Sequence, residues 1–204
     1  MVLVSKRKRN NETELPAHVV YEEIDGKALP YKGFRDVLAN KKQIEEIVGS
    51  SQLQAYIVSL IYGFLFNRIN RKEYWLLTNE PGVHISRGTN LSNDIAIYAR
   101  DSGLDIFSKE YAKFPPKIAI EVDTKIEFDE ETYPGADQYV LHKSQKLIDF
   151  GTEKVVWVLT ESRRIFVLEA GKPVKIVDFD ADIPLVDGCI VNLNQLLKEE
   201  GVQF

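Results

Sequence analysis

Two carboxylates stand close together in the stretch K-I-A-I-E-V-D, residues 117–123. Its alternation predicts a strand with apolar side chains on one face and Glu121 and Asp123 on the other. Same-face neighbours in a strand are about 7 Å apart. Asp94 opens a second apolar strand, N-D-I-A-I-Y. Three carboxylates at the ends of two core strands repel each other unless a cation or a proton lies between them.

A lysine is positioned to complement these acids. Residues 137–150, D-Q-Y-V-L-H-K-S-Q-K-L-I-D-F, predict a helix whose apolar stripe is Val140, Leu147 and Phe150. Lys143 comes three residues after Val140 and four before Leu147, so it points with the stripe toward the sheet. A buried lysine is costly unless it is paired. We therefore expect Lys143 to pair with the carboxylate cluster.

These residue types suit metal-assisted phosphodiester hydrolysis. Hard oxygen ligands favour Mg²⁺ or Mn²⁺, and such a cation lowers the pKa of a bound water and stabilises charge on the phosphate. We expect Asp94 and Glu121 to be the principal ligands and the Val122 carbonyl to add a third oxygen. Lys143 is expected to position the attacking water or to neutralise the phosphorane.

Other segments predict the elements that position these residues. Residues 51–69 predict a helix capped by Ser50 or Ser51, with a broad apolar face made of Leu53, Tyr56, Ile57, Leu60, Ile61 and Phe64. Residues 74–99 predict a hairpin or three-stranded meander. K-V-V-W-V-L and R-R-I-F-V-L-E are expected to pair as strands, and a short C-terminal helix is expected to start near Asn192.

Composition sets broad limits on the class of protein. The chain has 204 residues, 44% hydrophobic and 28% charged, as in an ordinary globular domain. Its net charge of -5 argues against a nonspecific DNA-coating protein but not against a nuclease with a local basic patch. The single cysteine, Cys189, excludes an internal disulfide and a cysteine-based metal cluster. Without an apolar run long enough to span a membrane, cytoplasmic residence is expected.

Two charged segments have alternative interpretations. Residues 1–16, with four consecutive basic residues at 6–9, predict a mobile basic tail, or alternatively an arm that contacts phosphate. Residues 17–204 are expected to form a single domain. The acidic run at residues 127–131 predicts a solvated loop, or alternatively a flap near the metal.

Five short motifs follow one another between about Tyr21 and Leu197. They are Y-E-E-I-D-G-K, E-P-G-V-H-I, N-D-I-A-I, P-P-K-I-A-I-E-V and K-S-Q-K-L-I-D-F-G-T-E-K-V-V-W-V-L. Each motif is weak alone, but all five in this order resemble the Uma-type restriction endonuclease family of the PD-(D/E)XK nuclease superfamily. The resemblance implies an α/β fold with a restriction-endonuclease-like core, a mixed central sheet flanked by helices, and an N-terminal strand/helix extension.

The resemblance also assigns roles to individual residues. Asp94 and Glu121 match the two acidic motif positions, and Glu22 matches an acidic position near the site. The superfamily's usual lysine position holds Asp123 here, which either weakens phosphate approach or supplies another ligand. Lys143 matches the helical lysine of this family.

Lys125 is a lower-ranked rival for the catalytic lysine, because it lies beyond the end of the strand. On the leading hypothesis Lys143→Ala abolishes cleavage and leaves folding intact. If Lys143 is instead part of a structural ion pair, the same substitution strands Glu121 as a buried charge and costs about 3–5 kcal/mol. We also expect at least one carboxyl of the cluster to have a pKa raised by like-charge repulsion in metal-free protein.

The favoured function is a metal-dependent endonuclease of restriction type that acts on DNA. A homodimer is expected, since cutting both strands needs two sites related by symmetry. The alternative is a catalytically silent nucleic-acid-binding or assembly protein with the same fold. A two-carboxylate glycosidase ranks last, because Trp75 and Trp157 lie in buried-strand patterns rather than on a sugar-binding platform.

Overall fold

A computed structural model describes residues 15–128 and 133–202. The predicted basic tail, apart from its last two residues, lies outside this description, and so do residues 129–131 of the predicted acidic loop. No helix in the two described ranges is long and apolar enough to cross a membrane.

The described residues form twelve strands and four α-helices. The strands are β1 (Val20–Ile24), β2 (Lys27–Pro30), β3 (Tyr74–Thr78), β4 (Gly82–Ser86), β5 (Thr89–Ser92), β6 (Ile95–Ala99), β7 (Ile118–Val122), β8 (Lys154–Leu159), β9 (Arg164–Glu169), β10 (Lys175–Asp178), β11 (Ile183–Pro184) and β12 (Ile190–Val191). The helices are α1 (Phe34–Leu38), α2 (Gln52–Arg68), α3 (Ala136–Phe150) and α4 (Leu193–Glu199). Short 3-10 helices cover Ala17–Val19 and Ile44–Glu46.

The central sheet has six strands in the order β10-β9-β8-β7-β6-β3. Only β7 and β8 run parallel, and α3 connects them, while the other neighbouring pairs are antiparallel. This arrangement confirms the predicted α/β class with a mixed sheet. The predicted pairing of β8 with β9 is confirmed as well.

A second sheet of four strands, in the order β2-β1-β5-β4, adjoins the first. The predicted meander over residues 74–99 is wrong, because β3 pairs with β6 while β4 and β5 belong to this second sheet. The chain passes from one sheet to the other at Asn93 and Asp94, the two residues between β5 and β6. The N-terminal hairpin, which turns at Asp25 and Gly26 with φ of 53° and 76°, also joins the second sheet.

Each face of the central sheet has its own apolar core. Helices α2 and α4 cover one face, where Ile118, Ile120 and Val122 of β7 are buried. Helix α3 and the second sheet cover the other, where Ala119 is buried. The predicted alternation along β7 is therefore confirmed as far as Val122.

The two long helices differ slightly from prediction. Ser51 caps α2 as predicted, since its hydroxyl accepts from the Gln54 N–H at 3.1 Å. The buried face of α2 consists of Gln54, Ile57, Ile61 and Leu65, so Tyr56 of the predicted face is exposed instead. Helix α3 buries Tyr139, Val140, Lys143, Ser144 and Leu147, but Phe150 is only partly covered.

Candidate active site

Buried charged side chains converge where the two sheets meet. The second sheet supplies Glu22, the corner between the sheets supplies Asp94, and β7 supplies Glu121. Helix α3, which covers this face of the central sheet, supplies Lys143. All four residues are at most 6% exposed, although charged side chains are rarely buried without partners. A cluster of this kind marks a candidate functional site.

Lys143 is the centre of the cluster. Its ammonium donates to Glu22 Oε1 at 2.6 Å and to the Ser92 carbonyl at 2.7 Å. Glu121 Oε1 lies 3.0 Å away as an ion-pair partner. Lys143 points toward the sheet, as the helix pattern predicts, and is 0% exposed. Its role as the catalytic lysine stays a prediction, because this geometry places it on carboxylates rather than on an open surface.

Aromatic rings enclose the same ammonium group. The Lys143 Nζ lies 5.9 Å from the Tyr21 and Tyr139 ring centroids and 5.4 Å from that of Trp157. Ring faces attract cations at these distances. The rings also exclude water, so the charges in the cluster interact in a less polar medium than at the surface.

Glu22 accepts three hydrogen bonds from two residues besides the lysine. Its Oε2 accepts from the Tyr139 hydroxyl at 2.6 Å, and its Oε1 accepts from the Ser92 N–H at 2.9 Å and from the Ser92 hydroxyl at 3.3 Å. Glu22 is thus part of the cluster. In the sequence only the resemblance pointed to it, because it lies in an ordinary hairpin strand about 70 residues or more from its partners.

Asp94 is held by the end of β7 and by helix α2. Its Oδ2 accepts from the Val122 N–H at 2.8 Å, and the Gln54 side-chain amide lies 3.5 Å from the same oxygen. Gln54 also donates to the Val122 carbonyl at 2.7 Å. Gln54 was missed in the sequence analysis. The available signal was its position three residues before Ile57 and seven before Ile61, which places an amide on the buried stripe.

Asp123 does not follow the predicted alternation. Strand β7 ends at Val122, and Asp123 has a left-handed backbone with φ of 56°. Its two carboxylate oxygens accept from the Thr160 N–H and hydroxyl, both at 2.7 Å. The prediction that Asp123 faces the same side as Glu121 is corrected on this ground. Aspartate tolerates the left-handed region, and here it links the ends of β7 and β8.

Burial is the main influence on the titration of the two candidate ligands. It raises the pKa of Glu121 to about 8, opposed by Lys143 and reinforced by the charges of Asp94 and Glu22. Burial also raises the pKa of Asp94, against the lowering effects of the Val122 N–H, Lys125 and Lys143. The expected raised carboxyl pKa is therefore present, but like-charge repulsion is the smaller cause. Burial lowers the pKa of Lys143, yet Glu121 and Glu22 outweigh it, so the net shift is upward.

The donor set is compatible with a hard divalent cation. Glu121 Oε1 is buried without a well-formed hydrogen bond, and the Val122 carbonyl has a second lone pair beyond the one used by Gln54. Residues 15–128 and 133–202 contain no ready-made group of three or more His, Cys, Asp or Glu side chains for a metal. Mg²⁺ usually keeps several waters and takes only one or two carboxylates from the protein. The oxygens of Asp94, Glu121 and the Val122 carbonyl are of the chemical type that such an ion takes.

Comparisons with known proteins bear on the fold. No protein-family model matches the chain, and no curated protein matches it. Among solved structures, the chain is similar to a "putative nuclease belonging to DUF820" from Anabaena variabilis ATCC 29413, with a TM-score of 0.61 and 14% sequence identity. The match covers 90% of this chain and 93% of the other. Together with the mixed sheet and its flanking helices, it shows that the chain has a restriction-endonuclease-like α/β fold.

Proposed function

We propose that this protein is a metal-dependent nuclease that hydrolyses phosphodiester bonds of DNA. The observation that carries the proposal is the buried cluster at the corner between the sheets, in which Glu22 and Glu121 pair with Lys143 and Asp94 accepts from the Val122 N–H beside Glu121. The structural neighbour from Anabaena variabilis, described as a nuclease, supports the same class of activity. Mg²⁺ or Mn²⁺ is the proposed cofactor, because the available ligands are oxygens.

In this proposal Asp94, Glu121 and the Val122 carbonyl hold the metal. When bound, the metal supplies an activated water and stabilises negative charge on the phosphate. Gln54 orients two members of this ligand set, since its side-chain amide contacts Asp94 Oδ2 and the Val122 carbonyl. Asp123 is not included among the ligands, because both of its carboxylate oxygens are used by Thr160.

Lys143 and Glu22 act through Glu121. The positive charge of Lys143 stabilises ionised Glu121 in a site where burial favours the protonated form. Glu22 fixes the lysine by a 2.6 Å hydrogen bond and is itself fixed by Tyr139. The lysine therefore sets the position and ionisation of a metal ligand. Cutting both strands of a duplex would additionally require a homodimer with two such sites.

The test is plasmid nicking with purified protein. We expect wild type to nick supercoiled DNA with Mn²⁺ or Mg²⁺ and to stop when the metal is chelated. Asp94→Asn and Glu121→Gln should each lower the rate by about 10³-fold, since a metal contributes several kcal/mol of transition-state stabilisation. Asp101→Asn, an exposed acid at the far end of β6, is the control and should nick normally. Nicking by wild type that both site variants retain would overturn the assignment.

A second candidate is a catalytically silent protein that keeps the same fold and binds nucleic acid. The complete burial of Lys143 against two carboxylates favours it, because a structural ion-pair network has the same geometry. A silent fold should show neither nicking nor stabilisation by Mn²⁺. DNA binding without either property would favour this candidate over the nuclease.

A further inference from the structure

A second lysine lies at the candidate site but, unlike Lys143, borders open space. Lys125 follows β7 by three residues, and its Nζ lies 3.9 Å from Asp94 Oδ1. It forms an ion pair with Glu80. Its carbonyl accepts from the Lys32 N–H at 2.7 Å, which fixes the backbone of the segment. Its side chain is 10% exposed. Lys125 thus reaches the outer side of Asp94.

Two cavities meet at Lys125. The first has a volume of about 480 Å³ and is lined by Asp94, Glu80 and the start of α2. The second, of about 1130 Å³, is lined by Gln54 and by the loops after β7 and β8. Lys125 and Gly49 line both cavities. Together the two cavities form a groove that passes the outer side of Asp94.

The groove contains further cationic side chains. Lys32, Lys42 and Arg164 line the larger cavity, alongside the acids Glu46, Asp123, Glu127, Asp137 and Glu161. Lys42 lies 3.7 Å from Asp36, and Arg164 pairs with Asp178, and both of these pairs are largely exposed. Exposed ion pairs of this kind are weak. These cations can therefore exchange their carboxylate partners for phosphates, although the chain as a whole is acidic.

The partner of Lys125 is presented by an unusual turn. Asn79 and Glu80 both have positive φ, 69° and 58°, a conformation that is uncommon for a glutamate and carries strain. The preceding Thr78 donates its hydroxyl to the Asp94 carbonyl at 2.9 Å, which fixes the turn beside the site. The turn thus holds the Glu80 carboxylate against Lys125 in the groove.

We propose that Lys125 contacts a phosphate of the bound DNA strand, and that Glu80 pairs with it only until DNA binds. The inference rests on the proposed nuclease function and names the groove by which the substrate reaches Asp94. Lys143 cannot make this contact in the same arrangement, because it is fully buried and is held by Glu22 and Ser92. Lys143 therefore acts on the proposed metal ligands, and Lys125 acts on the substrate.

Salt-dependent binding tests the contact directly. A lysine that neutralises one duplex phosphate contributes about 0.9 to the slope of log K against log salt. In metal-free buffer, where cleavage does not interfere, we expect Lys125→Met to weaken binding of a DNA duplex about tenfold and to reduce this slope by about 0.9. Lys125→Arg should restore the slope. Glu80→Gln should bind DNA more tightly, because Lys125 no longer has to leave a partner.

Lys117 and Glu153 provide a matched control. They form a partly exposed ion pair at the opposite end of β7, so Lys117→Met and Glu153→Gln make the same charge changes away from the groove. Equal effects at the two pairs, or an unchanged slope in Lys125→Met, would overturn the assignment of Lys125. Wild type that neither binds nor nicks DNA would instead refute the proposed function itself. Thermal melting of each variant checks folding. If Lys125→Met does not fold, Lys125→Gln takes its place and should show the same reduction of about 0.9 in the slope of log K against log salt.

Discussion

The side chains on the two faces of strand β7 are equally buried but differ in chemistry. On the α2 side, Ile118, Ile120 and Val122 are apolar and fill a continuous core. On the α3 side, Glu121 is just as buried, yet it carries a carboxylate against Lys143. Burying an apolar side chain stabilises the fold by about 1.5–3 kcal/mol. Burying a charge costs free energy that only its partners offset.

We infer from this difference that the apolar side of β7 serves folding, whereas the charged side serves function. A well-packed apolar replacement for a buried ion pair is often as stable as the pair or more so. The acidic side chains of the α3 face are therefore poorly explained by stability alone. Changes to the apolar side chains of β7 on the α2 side should affect folding only, whereas changes on the α3 side should separate folding from metal binding.

The largest stability effect is expected for Lys143→Ala. The substitution leaves Glu22 and Glu121 buried without their counterion, so the free energy of unfolding should fall by about 3–5 kcal/mol. Because Lys143 pairs with two buried carboxylates, this expected loss differs from the sequence-based expectation that folding survives. Urea denaturation measures the loss. Lys146→Ala on the same helix removes only a partly exposed pair with Asp25 and should change stability by less than about 1 kcal/mol. Similar losses in both variants would contradict this assignment.

A substitution on the apolar face should destabilise without affecting the site. Ile120→Ala removes a side chain that is 2% exposed, so we expect a loss of about 2–5 kcal/mol. Mn²⁺ affinity, measured below the unfolding transition, should stay within about twofold of wild type. A twofold change in Kd corresponds to about 0.4 kcal/mol of binding free energy, near the limit of resolution. The exposed Ile176 of β10 is the control, and its replacement by alanine should be nearly neutral. Metal affinity that falls in Ile120→Ala would show that the two faces are coupled.

Gln54→Ala should have an intermediate effect on both properties. The variant loses the hydrogen bond to the Val122 carbonyl and leaves that buried oxygen with one partner fewer, which costs about 1–3 kcal/mol. Because Gln54 orients the proposed ligands, metal affinity should fall by about 10–100-fold. Calorimetry with Mn²⁺ checks the second value. A loss of stability with unchanged metal affinity would restrict Gln54 to a structural role.

The pH dependence of the metal-free protein tests the acidic face without a substitution at Lys143. The pKa of Glu121 is raised from 4.5 to about 8 in the fold. Its contribution to stability is therefore complete below about pH 4.5 and is lost as the pH rises through about 8. Without metal, the melting temperature should decline over this window, and the decline should be smaller in Glu121→Gln. Identical pH profiles for the two proteins would show that Glu121 is ionised throughout.

The sequence predicts the parts of this fold that depend on local pattern. Alternation along β7 places Glu121 opposite the apolar core, and helical spacing aims Lys143 at the sheet. Interactions between distant segments account for the errors. The β4–β5 hairpin leaves the central sheet through a corner at Asn93 and Asp94, and nothing within residues 74–99 signals that β3 pairs with β6.

Side-chain partners distant in sequence also explain the differences at the site. Asp123 leaves the strand because Thr160, 37 residues later, takes both of its carboxylate oxygens. Gln54 looks like a polar interruption of a helix stripe until Asp94 and Val122 are seen beside it. Glu22 gains its role only when the first strand of the chain is placed against α3.

Calorimetric titration of wild type and Glu121→Gln with Mn²⁺ at pH 8 tests the central claim most directly. If the acidic face of β7 is a metal site, wild type should bind about one ion, and the variant should bind it at least about tenfold more weakly, a difference of 1.4 kcal/mol. Conversion of this carboxylate to an amide removes a charged ligand and keeps its shape. The same weak binding by both proteins, with Glu121→Gln the less stable of the two, would instead identify the cluster as a structural ion-pair network.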